Sequence, residues 1–368
     1  MTSKERLINC LNIGRINERR DIPIYPQLLT FPGKYSGFTQ KQILDSPKLW
    51  MYALSKVWND IGKPDVSMVT SPIDSIFGMG LEARRPGYEL GNDDLYQFIE
   101  KEQIDIHDYH SIVKNGWLKW YNKYLGKIQN PNKNGIGITI RWIQFGINCN
   151  KVLKFLLKNE VEPISYMSIA PVFDMLSMIR SFEPFLTDLY EEPDLIKAVI
   201  KKGTPENIAL CMQNLKWTKG DRVHIYVVRS SSNFISPTFF DEFAWPSLSE
   251  MICQFYSSGI RSILHADGNW LPMLDRFLHL PKGSVHFEFD GTTDIIKASE
   301  ILKGHHSIRG DIPSTMLAFS TYDETRQYCE NLITKIGMKG GFMLGSGCEV
   351  PLNSKPENIK AMFDSLGR

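Results

Sequence analysis

Apolar residues along the chain form short runs, which alternate with longer segments of helical periodicity. Several runs are apolar without clean alternation, a pattern typical of parallel strands that are covered on both faces. The eight runs that we predict to be strands lie at residues 22–25, 66–69, 165–170, 223–228, 260–265, 285–289, 306–309 and 342–344.

Helical patterns occupy most of the gaps between these runs. We predict helices at residues 39–58, 204–215, 237–257, 269–278, 293–302 and 321–336, with a break at Trp245-Pro246. Asp323, and Thr292 or Thr293, are the predicted caps of the last two. The alternation predicts an α/β fold, a (β/α)8 TIM barrel. A doubly wound open sheet is less favoured, because no GxGxxG sequence follows the first strand.

The stretch between the second and third predicted strands is longer than one β/α step requires. Residues 81–160 include a potential hairpin at 81–90, a helical pattern at 112–125 and an Asn-Pro-Asn-Lys-Asn sequence at 130–134 that predicts an exposed loop. We therefore predict one domain over residues 1–368, with an inserted, mostly helical segment at 81–160 that covers the mouth of the barrel. A decorated loop without a functional role is an equally good interpretation of this segment.

The composition is that of an ordinary globular protein and narrows the classes of function. The 368 residues are 42% hydrophobic, and 42 Lys and Arg balance 41 Asp and Glu to a net charge of +1, without a long basic run. This balance argues against nucleic acid as a partner. No apolar stretch approaches 18 residues, so we expect no membrane span. Six cysteines without a CxxC pair, and an N-terminus without an apolar signal core, predict a reduced, cytoplasmic setting.

Polar residues lie at or just after the carboxyl ends of the last four predicted strands. In a parallel barrel the chemistry lies at the carboxyl ends of the strands, so these side chains are expected on one rim. They are His265 and Asp267 at the fifth strand, Glu288 and Asp290 at the sixth, Asp311 at the seventh and Cys348 at the eighth.

A zinc site is one interpretation of this rim. His265 and Asp267 are two residues apart, so their side chains point to the same side of an extended segment. Together with Cys348 they offer nitrogen, oxygen and sulfur, a set that suits Zn²⁺ with one position left for substrate. In the alternative interpretation His265 is a core histidine and Cys348 a buried thiol.

The acidic side chains offer acid–base catalysis. Glu288 and Asp290 share one side of a strand, and Asp311 adds a third carboxylate to the rim. Asp290 and Asp311 serve equally well in this pattern as helix caps, whereas Glu288 is not placed to cap a helix. We predict all three as candidate catalytic residues, with Glu288 also a candidate metal ligand.

The same strand ends resemble the uroporphyrinogen decarboxylase superfamily, and more closely its corrinoid-dependent methyltransferases. The matching stretches are Asp-Ile-Pro-Ile at 21–24, Asp-Leu-Tyr-Glu-Glu-Pro at 188–193, residues 236–246, His-Ala-Asp-Gly-Asn at 265–269, Gly-Ser-Gly-Cys-Glu-Val-Pro at 345–351 and Lys-Pro-Glu-Asn-Ile at 355–359. They follow the family order along most of the chain, and the insertion is the poorly matched part.

The resemblance implies a (β/α)8 barrel with a zinc ion. In the methyltransferase branch the zinc is held by the His and Cys of a His-x-Cys-Gly-Asn motif and by a Cys near the last strand. His265, Asn269 and Cys348 match this pattern, while Asp267 stands where the family usually has Cys. Because a carboxylate is a harder ligand than a thiolate, Asp267 favours activation of an oxygen atom over activation of a thiol.

We therefore expect a zinc-dependent methyltransferase that works with a separate corrinoid protein. The chain lacks the Asp-x-His-x-x-Gly motif of cobalamin-binding domains, so the cobalamin is expected on the partner. The favoured substrate is a small O-methyl compound such as a methoxy aromatic, with Asn269 and Tyr25 in contact with it. Since dimers are common in this superfamily, a homodimer is also an expected assembly.

Other functions remain open at this point. A decarboxylase of porphyrin biosynthesis would need basic residues at the mouth, for which Arg84, Arg85, Arg180 and Arg229 are candidates. The first-strand region carries Tyr-Pro-Gln-Leu-Leu-Thr at 25–30 in place of the Arg-rich segment of those decarboxylases. A methylcobamide:thiol methyltransferase is a further alternative. A non-catalytic barrel would hold the three predicted ligands too far apart to share an ion.

Overall fold

The computed structural model describes residues 1–129 and 135–368, so the loop predicted at 130–134 lies outside the described residues. Seven parallel strands form one curled sheet. In spatial order they are β1 (Ile24–Gln27), β11 (Phe342–Glu349), β10 (Ser307–Ile312), β9 (Val285–Phe289), β8 (Arg261–Ala266), β7 (Arg222–Val227) and β6 (Met167–Ile169).

A separate parallel pair lies between the two edges of this sheet. β2 (Val66–Ser67) pairs with β5 (Glu162–Pro163), which runs a few residues ahead of β6 in the same stretch of chain. The N–H of Asp65 donates to the carbonyl of Ile24 at 3.0 Å and joins the start of β2 to β1. The described residues form no longer ladder between β1 and β2. The parallel α/β architecture is confirmed, and closure into an eight-stranded barrel stays a prediction.

Helices connect the strands, and most of them pack around the sheet. They are α1 (Ser3–Leu11), α2 (Phe31–Tyr35), α3 (Gln40–Asp45), α4 (Pro47–Asp60), α5 (Pro72–Met79), α6 (Ile106–Asn115), α7 (Trp117–Gln129), α8 (Gly135–Lys158), α9 (Val172–Ile179), α10 (Phe182–Glu191), α11 (Pro193–Thr218), α12 (Pro237–Phe239), α13 (Trp245–Ser257), α14 (Leu274–Phe277), α15 (Ile295–Ile301), α16 (Ser314–Phe319), α17 (Tyr322–Lys335) and α18 (Pro356–Ser365). Among the described residues, none of these helices combines the length and apolarity needed to cross a membrane.

Two helix starts differ from the sequence prediction. Helix α17 is capped by Thr321, whose side chain accepts the N–H of Glu324 while the Glu324 carboxylate accepts the N–H of Thr321. This reciprocal pair satisfies two free donors, so Asp323 is not the cap. Helix α15 is capped by Asp294, which accepts two backbone N–H groups. Predicting a cap from residue type alone misplaced both starts by one or two positions.

The predicted break at Trp245-Pro246 is milder than expected. A π-helical turn over Phe240–Ala244 leads directly into α13. Pro246 lies in the first turn of α13, where a missing N–H breaks no helical hydrogen bond. The predicted helix at 39–58 is instead divided at Ser46, which caps α4 by accepting the N–H of Leu49.

The segment at 81–160 contains a hairpin and three helices. β3 (Ala83–Arg84) pairs antiparallel with β4 (Gln97–Phe98), so the hairpin is wider than the predicted 81–90. Helices α6, α7 and α8 follow it. The Asp74 carboxylate at the start of α5 accepts the side-chain N–H of Asn148 on α8, at 3.2 Å. That the segment at 81–160 is an insertion over the mouth of the barrel stays a prediction.

Helix α1 packs against side chains that point into the curled sheet. Leu7, Cys10 and Leu11 form a buried cluster with Ile263 near the start of β8 and Met343 near the start of β11. Apolar surface removed from water at this point stabilises the fold by roughly 25 cal/mol per Å². Because α1 occupies the amino-terminal end of the sheet, the carboxyl end is the one available for a site.

Candidate active site

Four adjacent strands bring polar side chains to one level inside the sheet. In the parallel ladders Tyr226 on β7 is paired with His265 on β8, His265 with Glu288 on β9, and Glu288 with Arg309 on β10. Since side chains at paired positions of a sheet point to the same face, this register produces a row of polar groups. The row has no sequence signal of its own, because it depends on the alignment of four separate strands.

Glu288 lies at the centre of this row and is fully buried. Its Oε2 atom is 2.9 Å from Nε2 of His224, 3.1 Å from Nδ1 of His265 and 3.0 Å from Nη1 of Arg309. Burial alone would raise the pKa of Glu288, but the guanidinium of Arg309 and the contact with His224 hold it well below its usual range. Glu288 is therefore a carboxylate whose charge is balanced by its neighbours.

The second ring nitrogen of His265 faces two predicted ligands. Its Nε2 atom lies 3.4 Å from Oδ1 of Asp267 and 3.9 Å from Sγ of Cys348. Burial would lower the pKa of His265, but the carboxylate of Asp267 and the contacts with Cys348 and Glu288 raise it well above its usual value. The structure thus places an oxygen donor and a sulfur donor each beside the same nitrogen of His265, near the ends of β8 and β11.

A different set of potential metal ligands has its donor atoms close to one another. Among the described residues, one group of three potential ligands has all its donor atoms within 4.8 Å of one another, and it consists of His224, His265 and Glu288. The predicted ligands His265, Asp267 and Cys348 do not meet this condition, so not all of their donor atoms lie within 4.8 Å of one another. A cation placed there would meet the guanidinium of Arg309 beside the same carboxylate, and two like charges at that distance repel strongly in a buried site. We regard this group as a hydrogen-bonded network.

Arg309 is held by an aromatic ring and a backbone carbonyl as well as by Glu288. Its guanidinium lies over the ring of Tyr25 at 4.3 Å, and its Nη2 atom donates to the carbonyl of Ser346 at 2.6 Å. Gly345 makes room for it, because a Cβ atom at that position would lie 2.5 Å from Nε of Arg309. The buried hydroxyl of Tyr25 has no hydrogen-bond partner in the described part of the chain. Contact between Tyr25 and a substrate stays a prediction.

The remaining predicted site residues make local contacts. The Asp290 carboxylate accepts the N–H of Gly268 and of Thr292, both at 2.8 Å. Asp311 accepts the hydroxyl of Tyr328 at 2.7 Å, and burial raises the pKa of its carboxyl to about 6. These hydrogen bonds connect neighbouring segments at the carboxyl ends of the strands. The catalytic roles of Asp290 and Asp311 stay predictions.

Asn269 also braces the loops beside the site. Its N–H donates to the side chain of Asn233 at 2.6 Å, and its carbonyl accepts the hydroxyl of Ser232 at 2.7 Å. These bonds clamp the loop after β8 to the loop after β7. Substrate binding by Asn269 stays a prediction.

Three of the four basic residues that a decarboxylase could use at the mouth are paired with carboxylates, Arg85 with Glu89 among them, whereas Arg84 is exposed on β3. Arg180 forms ion pairs with Glu102 and with Asp188, the second at 2.8 Å. Arg229 is paired with Glu100 at 2.6 Å. Each of these three paired guanidinium groups is therefore already neutralised by a carboxylate of this chain.

Sequence reasoning missed His224 and Arg309. Both have a recognisable local signal, because each is a polar residue that recurs with period two inside an otherwise apolar strand: Arg222, His224 and Tyr226 alternate along β7. Arg309 was the last residue of a predicted strand that actually continues to Ile312. Catalytic residues were expected at the ends of the strands, and both of these residues were therefore not predicted.

Comparison with known proteins agrees with this geometry. The family model described as "Uroporphyrinogen decarboxylase (URO-D)" matches residues 144–368, a span that contains β5 to β11 and every polar residue of the row. The chain belongs to the uroporphyrinogen decarboxylase family. This confirms the resemblance drawn from the motifs at the strand ends.

A solved structure extends the similarity to the segment that the family model leaves out. The chain is similar to a "methyltransferase from Methanosarcina mazei", with a TM-score of 0.70, 15% sequence identity, and coverage of 100% of this chain and 98% of that one. At this identity the likeness shows a shared fold. No curated protein matches the sequence. In this member of the URO-D family the site must therefore be interpreted from its own residues.

Proposed function

We propose that this member of the URO-D family is a zinc-dependent methyltransferase, which moves a methyl group between a small O-methylated substrate and a corrinoid carried by a separate protein. The observation that carries the proposal is the orientation of His265. Glu288 engages its Nδ1 atom, and its Nε2 atom faces Asp267 and Cys348. The name of the similar solved structure supports the same class of reaction.

The donor set has the chemical composition of a zinc site. His265, Asp267 and Cys348 would hold it through one nitrogen, one oxygen and one sulfur, which is the ligand number of a catalytic zinc site. A carboxylate that binds the other ring nitrogen of a ligating histidine fixes the tautomer and the ring orientation, and Glu288 is placed to do this. When bound, zinc would act as a Lewis acid toward the substrate oxygen and stabilise the charge that develops there.

The chain's own residues supply the rest of the chemistry. Burial raises the pKa of the Tyr25 hydroxyl well above its usual value, so the group stays protonated and can donate a hydrogen bond to an oxygen atom. Tyr226 lies beside His265, with 5.5 Å between ring centroids, and narrows the space at the strand ends. These groups exclude water and hold a small substrate beside the ligands. The aromatic rings of Tyr25 and Tyr226 suit a methoxy aromatic.

The other hypotheses have less support. A decarboxylase needs free guanidinium groups at the mouth, and Arg180 and Arg229 are paired with carboxylates. A non-catalytic barrel would hold the three predicted ligands too far apart to share an ion, and the separations of 3.4 and 3.9 Å between His265 and the other two argue against it. A methylcobamide:thiol methyltransferase uses the same fold, and Asp267 in place of a cysteine is the feature that disfavours it.

Metal analysis tests the site. We expect about one zinc per chain in the wild type and in Cys253→Ser, which alters an exposed cysteine, and loss of zinc in His265→Ala and Cys348→Ser. Cobalt substitution should give a thiolate-to-cobalt absorption band that disappears in Cys348→Ser. Equal zinc in all four proteins would refute the ligand assignment.

Methyl transfer tests the reaction. Reduced cobalamin, free or on candidate corrinoid proteins, would be offered methoxy aromatics as methyl donors; methylcobalamin would be offered thiols as methyl acceptors; and tetrapyrrole carboxylates would be tested separately for decarboxylation. Methylation of cobalt from a methoxy compound supports the proposal, whereas transfer to thiols alone or release of carbon dioxide would replace it with one of the alternatives.

A further inference from the structure

Strand β11 contains a bulge near its carboxyl end. Tyr25 on β1 is paired with Gly345 on β11. The next pair joins Gln27 to Glu349, so β1 advances by two residues where β11 advances by four. Residues 346–348, here called the bulge, therefore lie opposite a single residue of β1. Extra residues of this kind bend a strand and redirect its side chains.

The bulge changes the direction in which Cys348 points. In a regular strand, residues three positions apart have their side chains on opposite faces. Gly345 lies on the inner face, because a Cβ atom there would be 2.5 Å from Nε of Arg309. A regular strand would therefore turn Cys348 to the outer face, whereas its Sγ atom lies 3.9 Å from Nε2 of His265. The bulge thus places the thiol on the inner face, beside the imidazole.

The hydroxyl of Ser346 holds the bulge in place. It accepts the N–H of Gln27 at 3.0 Å and donates to the carbonyl of Cys348 at 2.6 Å. Because the ladder between β1 and β11 is interrupted here, the hydroxyl replaces the backbone acceptor that a regular strand would offer to Gln27. Ser346 is fully buried, and its own carbonyl accepts Nη2 of Arg309 at 2.6 Å. One residue thus connects β1, the residue that carries the thiol and the buried guanidinium.

The other side of the bulge is packed against the chain that follows β9. A Cβ atom at Gly347 would lie 2.5 Å from the carbonyl oxygen of Asp290 and 2.7 Å from its carbonyl carbon. Only glycine fits this space, since backbone atoms cannot move aside as the end of a flexible side chain can. The bulge is therefore fixed between β1 on one side and Asp290 on the other.

We propose that Ser346 is a positioning residue of the candidate site, whose hydroxyl maintains the bulge that turns the Cys348 thiol toward His265. Without this hydroxyl, the N–H of Gln27 and the carbonyl of Cys348 lose their shared partner, and β11 can return to a regular course with the thiol on its outer face. The role of the thiol as a ligand rests on the proposed function, whereas its position relative to His265 can be measured without any metal.

Crystal structures of the metal-free wild type and of Ser346→Ala test the role of the hydroxyl directly. We expect the wild type to keep the Sγ–Nε2 separation near 3.9 Å and the variant to carry the thiol on the outer face of β11. Ser247→Ala is the matched control, because Ser247 on α13 is also buried and its hydroxyl also donates to a backbone carbonyl. It should leave Cys348 in place. A thiol that still faces His265 in Ser346→Ala would overturn the role assigned to Ser346.

Zinc binding gives a second readout, in which two variants separate the hydroxyl from the volume of the side chain. Ser346→Thr keeps the hydroxyl, and Ser346→Val has the same shape without it. We expect zinc affinity, measured by competition with a chromophoric chelator, to be about 10- to 100-fold lower in Ser346→Val than in Ser346→Thr. The thiolate-to-cobalt band of the cobalt-substituted protein should persist in Ser346→Thr and weaken in Ser346→Val. Equal affinities and equal bands would contradict the role of the hydroxyl.

The two readouts separate a wrong bulge from a wrong metal site. If the wild type itself binds no zinc, the ligand set of the proposed function is wrong, and the crystallographic position of Cys348 still decides the role of Ser346. Urea denaturation identifies a variant that fails to fold. If Ser346→Ala fails, crystal structures of Ser346→Thr and Ser346→Val replace it in the comparison. A wild-type structure in which the hydroxyl does not join Gln27 to Cys348 would overturn the inference by itself.

Discussion

His265 and Glu288 occupy paired positions on neighbouring strands, and their side chains meet through Nδ1 and Oε2 at 3.1 Å. The contact engages one nitrogen of the imidazole and leaves the other, Nε2, directed at Asp267 and Cys348. The register of β8 against β9 therefore decides which nitrogen is available to a metal. A shift of one residue in that register would turn Glu288 to the opposite face and free the imidazole to rotate.

Glu288→Gln is predicted to weaken zinc binding without removing a ligand. The amide oxygen still accepts a hydrogen bond from the imidazole, but it no longer carries the charge that makes His265 a stronger base. We expect zinc affinity to fall about 10- to 100-fold, as is typical when such a partner is altered, measured by competition with a chromophoric chelator. Glu300→Gln, on the exposed surface of α15, is the control and should bind zinc as the wild type does. Unchanged affinity in Glu288→Gln would show that Glu288 does not orient His265.

Arg309→Met is predicted to destabilise the fold. The guanidinium is fully buried, and its removal leaves the Glu288 charge without its strongest balancing group. Breaking a buried ion pair in this way costs about 3–5 kcal/mol of unfolding free energy, to be measured by urea denaturation. The same change at Arg326, which pairs with Glu330 on the exposed face of α17, should cost less than about 0.5 kcal/mol. Similar losses in both variants would contradict the assigned role of Arg309.

The parts of the fold that sequence could predict are those with a local cause. Strand β9 was predicted with its exact bounds, because Val285, Phe287 and Phe289 alternate with polar residues in a short run between turn residues. His265 and Cys348 were predicted to converge, because parallel strands end on one rim. Asp294 was missed as a cap, since several polar residues in a row offer the same local signal and only the backbone geometry selects one.

The parts that sequence could not predict depend on distant contacts. β4 at Gln97–Phe98 consists of two residues whose only distinguishing property is their pairing with β3. Arg309 reaches Tyr25 because the sheet curls, and curvature is a property of all the strands together. The network around Glu288 joins residues from β7, β8, β9 and β10, so no window of sequence contains it.

A pH-dependent contribution to stability is predicted for Asp311. Burial raises the pKa of its carboxyl to about 6, while the ordinary value of an aspartate in an unfolded chain is about 3.9. Between these values the folded protein binds more protons than the unfolded chain, so the contribution of Asp311 to stability falls as the pH rises through about 4 to 6. Asp311→Asn cannot ionise and retains an acceptor for the Tyr328 hydroxyl. Its stability relative to the wild type should therefore rise by on the order of 2–3 kcal/mol between pH 4 and pH 7.

Urea denaturation of both proteins at several pH values measures this difference. The comparison cancels every pH effect that the two proteins share, including those of the other carboxylates on the rim. Curves that stay parallel from pH 4 to pH 7 would show that the Asp311 carboxyl titrates alike in the folded and unfolded chains.

Gly345 is predicted to be a packing requirement of the site, because the guanidinium of Arg309 lies where a side chain would begin. A Cβ atom at this position would lie 2.5 Å from Nε of Arg309 and 2.8 Å from the carbonyl oxygen of Tyr25. The carbonyl belongs to the neighbouring strand and cannot move alone, so Gly345→Ala must displace Arg309 or separate β1 from β11. We expect a loss of about 1–3 kcal/mol in unfolding free energy, together with weaker zinc binding, since Arg309 supports Glu288 and Glu288 supports His265. Gly126→Ala on α7 is the control, because a Cβ atom there meets nothing within 4 Å, and alanine should stabilise that helix by up to about 1 kcal/mol. A Gly345→Ala protein as stable as the wild type, with unchanged zinc affinity, would mean that the guanidinium is not needed where the structure places it.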